Sequence, residues 1–210
     1  MSAELTFDEI AHVYRYADEV VPSVTQILRA TGVSVDFQSL SAMSAIMRAA
    51  IELKREIGSA LHADAHAFDD DDLDLGAVDP RVRPYLDAWI EFRMNSGLTP
   101  DVRERRVFHK GMRYAGTLDG IFTTRSGKRV LVDIKTGDPA DSGCQFQTAA
   151  YESAYLDMGG SAIHERWGVQ LIPGRQIPYV VSRYTDWQDV NRWYSIVTTF
   201  HLQAARRRAA

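Results

Sequence analysis

One stretch limits the folds open to this chain more than any other. Residues Arg113 to Thr124 and Lys128 to Ile134 each read as a strand, and Arg125-Ser126-Gly127 between them is a tight hairpin signal. The first strand carries Gly116-Thr117-Leu118-Asp119-Gly120, and the second runs on into Asp133-Ile134-Lys135-Thr136-Gly137. A three-residue loop centred on Ser126 puts Asp119 directly opposite Asp133. A two-residue loop shifts the pairing by one and keeps the carboxylates close. Side chains alternate along a strand, so Asp133 and Lys135 point to the same face.

Like charges facing each other on a sheet are destabilising, so something is expected between them. Val130, Leu131, Val132 and Ile134 form an apolar run broken only by Asp133. A carboxylate in a buried strand is costly without a partner. Carboxylate oxygens with open positions suit Mg2+ or Mn2+. The lysine suits a different role, holding or deprotonating a water, or stabilising a charged transition state.

The rest of the chain reads as one domain of helices, three strands, a helix and two strands. The expected fold class is mixed α/β, a mixed sheet flanked by helices. An N-terminal arm and helices fill 1–100, the core 101–183 and a last helix 185–208. Residues 6–21 read as a short hairpin or extended arm. Ser23 and Gln26 make a capping box for a short helix that Gly32 stops. A long helix is expected from Ser41 to Phe68, with an apolar stripe through Ala45, Ile46, Ala49, Leu53, Ile57, Ala60 and Leu61. Asp69 to Gly76 reads as a solvated acidic loop. Asp79-Pro80 reads as the opening of a helix that buries Leu86, Trp89, Ile90 and Met94. Val102 to His109 alternates as the first core strand. Gly143 to Met158 reads as a helix capped by Asp141 or Ser142, and Arg166 to Arg183 as a second hairpin. Thr185 to Gln188 reads as a capping box for the final helix, with Arg206-Arg207-Arg208 as a mobile tail.

The length of 210 residues allows one sizeable core, and the single cysteine, Cys144, excludes an internal disulfide or a cysteine zinc cluster. No apolar run is long enough to span a membrane and no signal peptide is evident, so a cytoplasmic bacterial or phage-infected setting is expected. The net charge of −4 does not advertise a nucleic-acid binder. The charge is uneven, however: Arg103, Arg105, Arg106, Lys110 and Arg113 crowd the approach to the hairpin. Such local patches bind phosphates even in an acidic protein.

Gly-Thr-Leu-Asp-Gly, a hairpin and Asp-Ile-Lys-Thr-Gly together resemble the PD-(D/E)XK nuclease superfamily, in its RecB-like and phage-type exonuclease branch. Two more segments fit that resemblance. Gly58-Ser59-Ala60-Leu61-His62 is similar to the branch's Gly-x-x-x-His segment, with His66 one turn on. Gln147 to Tyr151 is similar to its Gln-x-x-x-Tyr helix, whose two polar tips share one face. The resemblance implies a restriction-endonuclease-like core and a Mg2+- or Mn2+-dependent nuclease acting on DNA. Asp119, Asp133, His62 and the Ile134 carbonyl would be the metal ligands, and Glu104 would join from the first core strand. Lys135 would act on the attacking water, with Gln147 and Tyr151 near the lysine and a substrate phosphate. Arg103, Arg105, Arg106, Lys110 and Arg113 would meet DNA, and a recombinase or annealing protein is a further partner to consider. Other readings are a binding module that has lost cleavage, or an endonuclease for branched or modified DNA.

Overall fold

A computed structural model describes residues 4–34, 44–140 and 143–209 of the protein. Its centre is a five-stranded mixed sheet in the order β4 (Thr99–His109), β5 (Tyr114–Thr123), β6 (Arg129–Lys135), β7 (Glu165–Leu171) and β8 (Tyr179–Tyr184). Only β6 and β7 run parallel. The crossover between them is α4 (Cys144–Asp157), because two parallel neighbours cannot be joined by a tight turn. The β5–β6 loop closes with Thr124 N donating to the Lys128 carbonyl, and Gly127 supplies a positive φ of 81°. Gly120 pairs with Val132 and Thr123 with Arg129. This is the register of the three-residue loop, with Asp119 and Asp133 across from each other.

The sheet is covered on both faces. Val130, Val132 and Ile134 pack beneath α2 (Ala45–Asp69) and α3 (Arg83–Ser96), against Leu61, Leu86, Trp89 and Phe92. Leu118, Ile121 and Leu131 pack against α4, α1 (Val24–Ala30) and α5 (Asp189–Ala209), with Ile27, Trp193 and Val197 fully buried. Each such apolar side chain contributes about 1.5–3 kcal/mol on burial, so the two layers hold the hairpin rigidly between them. Ser23 and Gln26 form the expected capping box on α1.

The structure departs from the sequence expectations at several ends. The N-terminal arm is a complete antiparallel sheet of β1 (Leu5–Asp8), β2 (Val13–Tyr16) and β3 (Glu19–Val21). It docks on the main sheet through Tyr14, Val21, Phe108 and Ala115. Helix α2 is capped by Ser44; Ser41 lies outside the described residues, as do Asp141 and Ser142. In the first half of the α2 stripe Ile46 and Leu53 are exposed among the described residues. Asp69 is no loop residue: it ends α2 and makes a buried ion pair with Arg93 at 2.9 Å. Asp79 and Pro80 belong to a turn, and α3 begins at Arg83 with its proline, Pro84, in the first turn. Met94 is exposed and Phe92 is buried in its place. Gly143, in the left-handed region, takes the α4 cap with no side-chain bond. The last helix begins at Asp189, and Asp186 caps the turn before it by accepting from the Gln188 N–H. Arg206 and Arg207 are not a loose tail but the last turns of α5.

Among the described residues no helix is long and apolar enough to cross a membrane.

Candidate active site

The site forms where the C-terminal end of β6 meets β5 under α2 and α4. Asp133 and Lys135 share a face of β6, and the Lys135 Nζ lies 2.5 Å from the Asp133 Oδ2. Asp133 is 1 % exposed. Its Oδ2 takes a second donor, the Cys144 thiol at 3.3 Å, while Oδ1 has no hydrogen-bond partner. Among the described residues the other buried side-chain atoms without a partner are nitrogens of Trp89, Arg93 and Trp193, all donors. Asp133 Oδ1 is thus the one acceptor left open among them, and a buried carboxylate oxygen without a donor is costly.

Asp119 is bound quite differently. Its Oδ2 accepts the Ile134 N–H at 2.7 Å, and its Oδ1 lies 3.3 Å from the His62 Nδ1. This replaces a strand-to-strand bond at the place where the β5–β6 ladder stops. His62 reaches Asp119 because α2 crosses the end of β6, with Gly58 passing close to Thr136. His66 makes no such contact, lying one turn further along.

The electrostatics follow from burial set against these partners. Burial opposes the charge on Asp119, but His62, Lys135 and the Ile134 N–H outweigh it and hold the carboxyl down at about 2. At Asp133 burial wins over the attraction of Lys135, and the charge of Asp119 adds to it, so this carboxyl is pushed up. Burial also opposes the charge on Lys135, yet the two aspartates raise it, Asp133 most. A lysine held this way keeps its proton. Burial lowers the His62 ring, but Asp119 more than reverses this.

Gln147 and Tyr151 lie on α4 above the pair, both buried, with the Gln147 Nε2 donating to the Tyr151 hydroxyl at 3.0 Å. Tyr151 needs Gly116 beneath it: a Cβ there would stand 2.5 Å from its ring. The Tyr151 phenol is raised well above its ordinary range, by burial first and then by Asp133.

Other expected residues fall elsewhere. Glu104 sits across from Asp119 on β4, between the partners of Gly120 and Leu118, but its backbone has a positive φ of 41°. Its exposed side chain lines a groove of about 910 Å3 with Glu4, Glu9, Arg105, Arg106 and Met158. Among the described residues no three His, Cys, Asp or Glu side chains gather at ligand spacing, so Glu104 does not complete the acidic pair. The basic cluster is largely committed within the chain. Arg103 pairs with Asp70, Arg106 with Glu9 and Arg113 with Glu19, the last two fastening the N-terminal sheet. At Lys110 it is the backbone N–H, not the ammonium, that donates to Asp157, and Arg105 lines the groove. Ile134, by contrast, stays at the site between Asp133 and Lys135, with its side chain in the core and its N–H on Asp119.

Sequence reasoning missed the thiol on Asp133. Cys144 stands eleven residues from Asp133, and neither residue's spacing signals the contact.

The donor set fits a hard divalent cation in part. Asp133 Oδ1 is open and both carboxylates converge from adjacent strands, oxygen chemistry that suits Mg2+ or Mn2+. His62 faces Asp119 through Nδ1, which leaves Nε2 as the ring nitrogen able to serve as a ligand.

No family model matches the sequence, and no curated protein matches it. Among solved structures, one described as "Crystal structure of SSO0001" is similar at 15 % sequence identity and a TM-score of 0.36 over 57 % of this chain. The match spans 57 % of that chain's length.

Proposed function

We propose that this chain is a metal-dependent deoxyribonuclease of PD-(D/E)XK type on a restriction-endonuclease-like core, acting as a stand-alone exonuclease in the cytoplasm of a bacterial or phage-infected cell. The observation that carries the reading is Asp133: a buried carboxylate with Lys135 on one oxygen, nothing on the other, and a second carboxylate opposite it. A core that excluded ligands would not retain such an arrangement cheaply, since an unpaired buried acceptor costs about 1–3 kcal/mol.

Asp119 and Asp133 would hold Mg2+ or Mn2+, with His62 at the exposed side. The cation, when bound, would polarise a DNA phosphate and lower the pKa of a water beside it. Lys135 keeps its proton and sits within reach of Asp133, where it orients that water or offsets charge that grows on the phosphate in the transition state. The Gln147–Tyr151 pair presents an amide and a hydroxyl on the α4 side of the same pocket. Tyr151 stays neutral there and acts as a donor.

The test uses end-labelled linear DNA beside closed circular DNA, with Mg2+, Mn2+ or chelator. The expected result is loss of the linear substrate only, abolished by chelator. Undiminished cleavage in chelator by clean protein would sink the assignment, and nicking of the circle would turn it to an endonuclease. Binding of DNA without cleavage under any of these metals would favour the silent module.

A further inference from the structure

The Asp133 carboxylate has a second support that its own strand does not supply. Cys144, the first residue of α4, places its Sγ 3.3 Å from the Asp133 Oδ2, the same oxygen that Lys135 holds. The thiol is fully buried, and the Tyr184 hydroxyl of β8 lies on the same side of β7 as the thiol. Room for this row exists because β7 carries a glycine underneath. A Cβ on Gly168 would stand 2.8 Å from the Cys144 Sγ and 3.0 Å from the Tyr184 hydroxyl. One oxygen of Asp133 is thus met by Lys135 from β6 and by Cys144 from α4, with β7 and β8 making room for the thiol.

We infer that Cys144 is a positioning residue: its S–H helps Lys135 hold the Oδ2 of Asp133, so that Oδ1 alone faces the cation. The inference rests on the nuclease reading above. Its physical content is orientation. A carboxylate bound on one oxygen by two donors from different directions cannot rotate about its last bond, and an outer partner of this kind commonly decides how well a ligand binds metal. Buried thiols are often plain packing, small hydrophobes filling a gap. That alternative makes the opposite prediction for two substitutions.

Cys144→Ser keeps a donor in nearly the same place, and Cys144→Val keeps the bulk but removes the donor. Mn2+ binding is followed by the electron paramagnetic resonance of the free ion, and DNA cleavage by single-turnover kinetics, after circular dichroism has shown each variant folded. Cys144→Val should weaken Mn2+ binding by about 10-fold or more, the usual scale for losing such an outer partner. Cys144→Ser should recover most of that loss. Cys144 is the only cysteine, so its S–H stretch can be read in the infrared of the metal-free protein. The band should lie low in the wild type and rise in Asp133→Ala. A Val variant equal to wild type in Mn2+ affinity, a Ser variant as weak as the Val one, or a band indifferent to Asp133 would overturn the role of Cys144 while leaving the nuclease reading in place. A wild type that neither binds Mn2+ nor cleaves DNA would overturn both.

Discussion

Two buried ionic clusters lie side by side on the central sheet, and they are finished in opposite ways. On β7, Arg166 is 5 % exposed and meets Glu152 at 3.2 Å, Asp189 at 2.7 Å and the carbonyls of Gln145 and Asp186. The other Asp189 oxygen accepts from Gln145 at 2.6 Å and from Arg192. Both Asp189 oxygens are thus met, and the cluster ties β7, α4 and α5 together. On β6, one strand away, Asp133 carries two donors on one oxygen and none on the other. Burial alone does not tell a strut from a site. The open acceptor on Asp133 is what separates the two clusters, and it is the feature on which the proposed function rests.

The comparison breaks most sharply at the charges themselves. Arg166→Ala should cost about 3–5 kcal/mol of unfolding free energy in urea, since Asp189 would be left buried without its main counter-ion. The folded fraction should cleave at the wild-type rate. Normal stability would show that the cluster is no strut.

Lys135→Ala should do the reverse. Its single-turnover rate should fall by about 10²–10³, the loss seen when a group acting on transition-state charge is removed, with DNA affinity changed only a few-fold. A variant that binds poorly but cleaves bound DNA at the full rate would make Lys135 a mere phosphate contact.

Within the site, the two aspartates should separate when no metal is present. Asp119→Ala gives up bonds from Ile134 and His62 and should lower stability by about 1–3 kcal/mol. Asp133→Asn removes a charge that burial disfavours but also the main counter-ion of Lys135; the two changes oppose each other, so its net cost should be smaller than that of Asp119→Ala. Both should lose Mg2+-dependent cleavage. Equal destabilisation by the two would erase the distinction between a satisfied and an open carboxylate.

The smallest effect is in pH. The Asp119 carboxyl is held at about 2, so its stabilisation is complete above the ordinary aspartate range and is lost as pH falls toward 2. His62 is raised, so its contribution is complete below the ordinary histidine range and is lost as pH rises through the raised value. The partly exposed ring limits the second arm through solvent screening. Metal-free urea midpoints should therefore peak near pH 5 and drop at pH 3 and pH 8, and Asp119→Ala should flatten both arms. An unchanged profile in that variant would place the titration elsewhere.

Much of this was legible in the chain because it depends on local geometry. The Ser126-centred loop sets which residue of β5 faces which of β6, and the period of two puts Asp133 and Lys135 on one face. The four-residue spacing of Gln147 and Tyr151 brought their polar ends together, and the Ser23–Gln26 box closed α1. What only the tertiary structure decided were partnerships between distant segments. Arg106 and Arg113 read as a basic approach, yet each is paired with a glutamate more than ninety positions away. Glu104 has the right strand and register but a backbone turn that sends it to a groove. Cys144 meets Asp133, over Gly168 and beside Tyr184, only because α4 crosses from β6 to β7 and β8 returns alongside. Strand and helix periods determine which face a side chain occupies. Which distant group meets it there depends on how whole elements dock, and no spacing along the chain encodes that.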